Sequence, residues 1–150
     1  MPEKRTVERA RRDARQGKAP STQAGEFVRE EIHHVREGKH GARSTEQAIA
    51  IGLSKARRAG VKLPAPKKGR ARAATRKQAA RDTRKGQHHH ASKPSSSRSR
   101  AVSRMLKRER HGAASRRALA AHAKRSARKR SAAERSRAAK RAARTRRSQR

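Results

Sequence analysis

Basic side chains are the one abundant source of chemistry in this chain, and their crowding sets what they can do. The 150 residues include 46 Lys or Arg against 11 Asp or Glu, a net charge of +35. Residues 64–150 carry 31 of those cations and only three acids, Asp82, Glu109 and Glu134, so +28 of the charge lies there. A polycation of this density repels itself and is neutralised by a polyanion, of which nucleic acid is the commonest in a cell. Guanidinium groups add bidentate phosphate contacts that ammonium groups cannot make. The expected phosphate contacts are Lys67, Lys68, Arg70, Arg72, Arg104, Lys107, Arg108, Arg116, Arg117, Lys124, Arg125, Arg128, Lys129, Arg130, Arg137, Lys140, Arg141, Arg144, Arg146 and Arg147. Phe27 is the sole aromatic residue among Phe, Trp and Tyr. Stacking on unpaired bases is therefore out of reach, which favours backbone contacts to a duplex or structured RNA with little reading of sequence.

Other candidate chemistry is thinner. Lys39, His40, Gly41, Arg43 and Ser44 form a basic loop ahead of a helix start, where free amides attract anions. The same residues also make an ordinary helical hairpin turn. His88, His89 and His90 offer imidazoles to a divalent metal, but without a companion Cys or spaced carboxylate they read as a solvated tract. His33 and His34 are adjacent, face different directions on a helix and make a poor ligand pair, so no metal site is expected. The absence of cysteine excludes disulfides and thiolate chemistry. No phosphate-binding Gly-rich loop or paired-carboxylate pocket occurs, so no enzyme activity, cofactor or small-molecule substrate is expected.

Several helices must position these groups. Thr6 can cap a short first helix that Gly17 and Pro20 stop, and Val7 is its only large apolar residue, so fraying is expected. A second helix starts near Ser21 or Thr22 and runs to about Arg36, with Val28, Ile32 and Val35 at i, i+4, i+7 and Phe27 widening the apolar face. Gly38 ends it. A capping box of Ser44 and Gln47 opens a third helix through Ala48, Ile49, Ile51 and Leu53, and Gly60 suits a left-handed C-terminal cap. The run AIAIGL also fits a strand, but its length, cap and Gly60 favour helix.

From residue 64 the expectation changes. Pro, Gly, Ser and basic residues mix without apolar period, which reads as disorder with a transient helix over residues 73–85. Beyond Ser99, Ala, Arg, Lys and Leu favour helix, with starts at Ser115 and at the capping box of Ser131 and Glu134. Like-charge pairs such as Arg104/Arg108, Arg125/Lys129 and Arg137/Arg141 oppose helix in the free chain. Two short echoes recur: RDARQG (residues 12–17) in RDTRKG (81–86), and HGARS (40–44) in HGAAS (111–115).

The expected fold class is all-α where folded: a small N-terminal helical hairpin plus a long, largely disordered Arg/Ala-rich tail. Its divisions are a basic arm with a short helix (1–20), the hairpin (21–63), a disordered basic linker (64–100) and a tail that becomes helical on binding (101–150). No apolar run of signal-peptide or membrane-span length occurs, so a soluble protein without a secretory leader is expected.

The segment GKHGARSTEQAIAIGLSKARRAGVKL (residues 38–63) resembles a bacterial family of unknown function in which a basic Gly-containing loop joins an S-x-x-QAIAIGLS-x-ARRAG helix. Its members are small basic proteins, some labelled as DNA-binding or plasmid stabilisation proteins. The resemblance implies a bacterial origin and brings no active site. By composition alone, the tail resembles the C-terminal tail of a linker histone.

The reading that follows is a non-sequence-specific, nucleoid-associated or histone-like protein that neutralises phosphate, with duplex DNA as partner and the bacterial nucleoid in the cytoplasm as location. Two alternatives stand beside it. One is an adaptor whose hairpin docks a protein through Phe27, Ile32, Ile49 and Leu53. The other is an RNA- or ribosome-associated basic protein. A membrane partner is not expected, because the tail lacks a bulky apolar face.

Overall fold

Helix α1 spans Lys4–Arg15, α2 Pro20–Arg36 and α3 Thr45–Arg58 in the computed structural model, which describes residues 2–87 and 95–148. All three end on the same device. Gly17, Gly38 and Gly60 adopt φ of +68°, +73° and +92°, and the amides around each turn back onto the last helical carbonyls. At α3, Gly60 donates to the Arg57 carbonyl at 3.0 Å and Val61 to the Ala56 carbonyl at 3.1 Å, the paired bonds of a Schellman motif. Ser44 caps α3 by accepting from the Gln47 amide at 3.1 Å, as its spacing predicts. AIAIGL is therefore helix, and Gly60 its stop.

Elsewhere the sequence expectations need adjusting. Thr6 lies inside the first turn of α1 and is fully buried, so it packs where it was expected to cap. Pro20 is the first residue of α2, a position where its missing N–H costs nothing. Nor does α1 stand alone: Ala10 and Val7 join Ala24, Phe27, Ala56, Val61, Leu53 and Leu63 in one apolar cluster, and Arg9 pairs with Glu26 of α2 at 2.7 Å.

Small residues bring α2 and α3 together. A Cβ on Gly52 would stand 2.7 Å from the Val28 Cα and 3.0 Å from the Phe27 carbonyl oxygen, so only glycine allows this approach. Seven of the eleven buried apolar residues among those described are alanines: Ala10, Ala24, Ala42, Ala48, Ala56, Ala79 and Ala114. Backbones pack closely here because side chains are short.

The expectation of a long disordered tail is overturned. Residues 64–72 form a connector, and α4 (Ala73–Gln87) then packs against α3. Asp82 of α4 is buried and accepts from Ser54 of α3 at 2.6 Å, while Gly86 lies against the backbone of Arg57 so closely that any Cβ would overlap the Arg57 carbonyl. Helix α5 (Ser96–Arg108) leads into a 3-10 turn at His111–Ala114 that docks on the open end of the hairpin. These elements belong to one compact unit, Met1–Ser115; Arg116–Arg150 form a second, built from α6 (Arg116–Arg128) and α7 (Ala132–Ser148).

Magnitudes explain the error. Each like-charge pair at i, i+4 costs about 0.2–0.5 kcal/mol. Ser131 and Glu134 close a reciprocal capping box at 3.2 and 2.9 Å at the start of α7, worth about 1 kcal/mol for the serine alone. Six alanines of α7 supply the strongest intrinsic helix preference. Helix propensity and capping outweigh the repulsion along α6 and α7.

Two glycines test the packing by opposite signs. Gly25 of α2 has open space where a Cβ would go, so Gly25→Ala should stabilise by about 0.5–1 kcal/mol. Gly52→Ala should destabilise by about 1–3 kcal/mol despite better helix propensity, because the Val28 backbone must move. Ser44→Ala should cost about 1 kcal/mol. Urea melts followed by circular dichroism measure all three.

Candidate nucleic-acid interface and polar cluster

All twenty cations read from the sequence as phosphate contacts have exposed side chains. On α7 the spacing of Arg137, Lys140, Arg141, Arg144 and Arg147 keeps them on one stripe of the helix. On α5, Arg100, Arg104 and Lys107 line a shallow groove with Ser99 and Ser103. Lys67, Lys68, Arg70 and Arg72 lie on the connector before α4, and Lys129 and Arg130 between α6 and α7.

The acids are disposed differently. Glu3, Asp13, Glu26, Glu30, Glu31, Glu37 and Asp82 all make ion pairs, with partners drawn from Arg9, Lys18, Arg29, Lys39, Lys55 and Arg58. None of these pairs uses any of the twenty. Negative charge is thus concentrated in the folded hairpin and its neighbours.

At the loop before α3, the amides have partners within the chain. Gly41 donates to the Leu106 carbonyl at 2.8 Å and Ala42 to the Arg110 carbonyl at 3.1 Å. Arg43 donates to the Gln47 side-chain oxygen at 2.7 Å. Lys39 is drawn to Glu37 and Glu3, which raise its pKa, Glu37 contributing most. His40 faces Glu31 at 3.0 Å, Ser44 is the helix cap, and Arg43 is exposed. The tract His88, His89 and His90 lies outside the described residues.

Lys55 and Arg57, at the basic end of α3, both point inward. Arg57 is 7% exposed and donates to the Leu63 and Pro64 carbonyls at 3.3 and 3.2 Å. Desolvation pulls its pKa below the ordinary guanidinium value, though an arginine keeps its charge. Lys55 reaches Glu31 at 2.6 Å and Glu30 at 3.4 Å, and both carboxylates are buried. Phe27 and Ile32, two of the four residues assigned to protein docking, are also buried inside the unit.

Around this ion pair sits a cluster that sequence reading missed. Glu31, His34 and His40 bring three potential ligand atoms within 4.8 Å of one another. The rings of His34 and His40 meet edge to face at 6.1 Å, and Glu3 approaches His34 Nε2 at 2.9 Å. Part of the signal was present, since Glu31 and His34 stand at i, i+3 on one helix face. His40 arrives only through the turn at Gly38.

Residues 3–68 match a family described as of unknown function (DUF6496). No curated protein and no solved structure matches the chain. The matched span runs from the start of α1 through α3 into the connector and stops before α4.

Two outcomes follow from the cluster. Lys55→Met should destabilise by about 3–5 kcal/mol in denaturant melts, because two buried carboxylates lose their cation. Hydrogen bonds from His34 and then Lys39 hold the Glu3 carboxyl below its ordinary value of 4.5. A carboxylate lowered in the fold stabilises above its unfolded pKa and loses that contribution as pH falls through the folded value. Thermal midpoints of Glu3→Gln should accordingly fall less steeply than those of the parent below about pH 4.5.

Proposed function

We propose that this protein binds nucleic acid without sequence preference, with duplex DNA as ligand and phosphate neutralisation as the source of affinity. The observation that carries the reading is the exposed cation set on the helices from α5 onward. Residues 116–150 alone hold 15 Lys or Arg and one acid, Glu134, a net of +14. Two short helices with so large a net positive charge favour a polyanion, and each phosphate contact releases condensed counterions. The α7 stripe, about 15 Å long from Arg137 to Arg147 at 1.5 Å per residue, can follow the edge of a duplex groove. With Phe27 buried, no exposed Phe, Trp or Tyr is available to stack on bases. A nucleoid-associated, histone-like role extends the same reading.

Electrophoretic mobility shifts with the full chain on two unrelated duplexes and a structured RNA test it. With about 6–10 phosphates engaged, affinity should fall roughly 10³- to 10⁵-fold from 50 to 200 mM salt, equally for both duplexes. Replacing Arg137, Lys140, Arg141, Arg144 and Arg147 together by Gln should flatten the log–log salt slope by about 4. A flat salt response or strong preference for one duplex counts against the reading. Tighter binding to RNA transfers it to RNA.

A further inference from the structure

We propose that Glu31, His34 and His40 form a zinc-binding site that clamps the loop after α2 onto that helix. The argument rests on the two faces of His40. Its Nδ1 lies 3.0 Å from the Gly41 carbonyl oxygen, and its Nε2 lies 3.0 Å from Glu31 Oε1. Both neighbours are acceptors. Two nitrogens facing two oxygens require two protons, or one proton and a metal ion between Nε2 and the carboxylate. In the metal-bound form the Nδ1 proton goes to the backbone carbonyl and the Nε2 lone pair turns toward Glu31's side, the second-shell pattern that orients metal-bound imidazoles.

The remaining groups suit the same ion. Glu31 approaches Lys55 through Oε2 and His40 through Oε1, so the oxygen beside the imidazole is not the one the ammonium holds. Ligands of a tetrahedral zinc stand roughly 3.3 Å apart for bonds of about 2.0 Å. Glu31 and His40 are already at 3.0 Å, and the third ligand atom is within 4.8 Å of both. Closing the set needs a shift of at most about 1.5 Å, within reach of side-chain torsions. The side chain of His34 is 13% exposed and that of His40 17%, so the cluster is enclosed yet open to solvent on one edge. Glu3 stands at that edge, 2.9 Å from His34, where it can complete the coordination. Four carboxylates, Glu3, Glu30, Glu31 and Glu37, face two ammonium groups, Lys39 and Lys55, so the local balance favours a divalent cation. Two imidazoles and a carboxylate select zinc over calcium or magnesium.

The tract at residues 88–90 could bind zinc independently, so the test uses the full chain with His88, His89 and His90 replaced by Gln. Calorimetric titration with zinc chloride should retain one equivalent per chain, with a raised thermal midpoint, since a ligand that binds only the folded state stabilises it. Cobalt(II) added in its place should give the visible absorption of a four-coordinate site. His40→Ala and His34→Ala should each weaken zinc by about 100-fold or more, whereas His33→Ala, on the same turn of α2 but outside the cluster, should not. Long-range ¹H–¹⁵N spectra of the tract-free parent give an answer that does not depend on any ligand variant folding. Zinc should shift the ring nitrogens of His34 and His40 and leave those of His33 in place. Loss of all zinc binding with the tract, unmoved His34 and His40 resonances, or full affinity in both ligand variants would overturn the site.

Discussion

Helices α2 and α3 cross where Gly52 rests on the backbone of Val28, and the placement of every neighbour in the first unit depends on that crossing. At this separation Lys55 can reach both Glu30 and Glu31, which stay buried because the ammonium lies between them. Helix α1 then covers the flank of α2, and α4 the flank of α3. The open end is closed by the 3-10 turn, where Arg36 and Thr45 donate to the Ala114 and Ala113 carbonyls at 2.8 and 2.7 Å. Alanine is the natural residue for such contacts: it buries little area itself but lets backbones and their polar groups meet.

Charge is partitioned by the same geometry. A buried carboxylate needs a cation or a set of donors, since an unpaired one costs several kcal/mol. The first unit meets that demand from its own Arg, Lys and His side chains. What remains on the surface is a large positive excess, carried from α5 onward by helices with few apolar residues. On the proposed reading, the hairpin is an electrostatically satisfied platform and the later helices are the surface for phosphate. The family match covers the platform and ends before the cation-rich helices, so the two parts carry separable questions.

The sequence echoes acquire a physical sense from the fold. HGAAS docks beside HGARS: the Gly41 and Ala42 amides of one are bonded to carbonyls leading into the other, and Thr45 bonds to Ala113. RDARQG and RDTRKG lie on the outer helices α1 and α4, and each buries its aspartate. Asp13 pairs with Lys18 at 2.8 Å, and Asp82 accepts from Ser54 and Gln78. The matching segments occupy corresponding flanks of the central helix pair.

Many local signals were legible, although Thr6 packs inside α1 where its type suggested a cap and Pro20 opens α2. Ser44 with Gln47, Ser131 with Glu134, the glycines after α1, α2 and α3, and the spacing of Val28, Ile32 and Val35 all act within a few residues, and each was readable from the sequence. So was the positive excess after residue 63, because composition needs no fold. Tertiary structure decided what depends on distant partners: that α4 is anchored through Asp82 and Gly86, that Lys55 and Arg57 turn inward, and that His40 meets Glu31 and His34. Like-charge repulsion along the tail was visible as well, yet a few tenths of a kcal/mol per pair do not outweigh alanine-rich helix propensity and well-made caps. An anchoring contact or a ligand cluster is a coincidence in space between residues far apart in the chain. Only the folding of the backbone around Gly38 and across Gly52 brings such residues together.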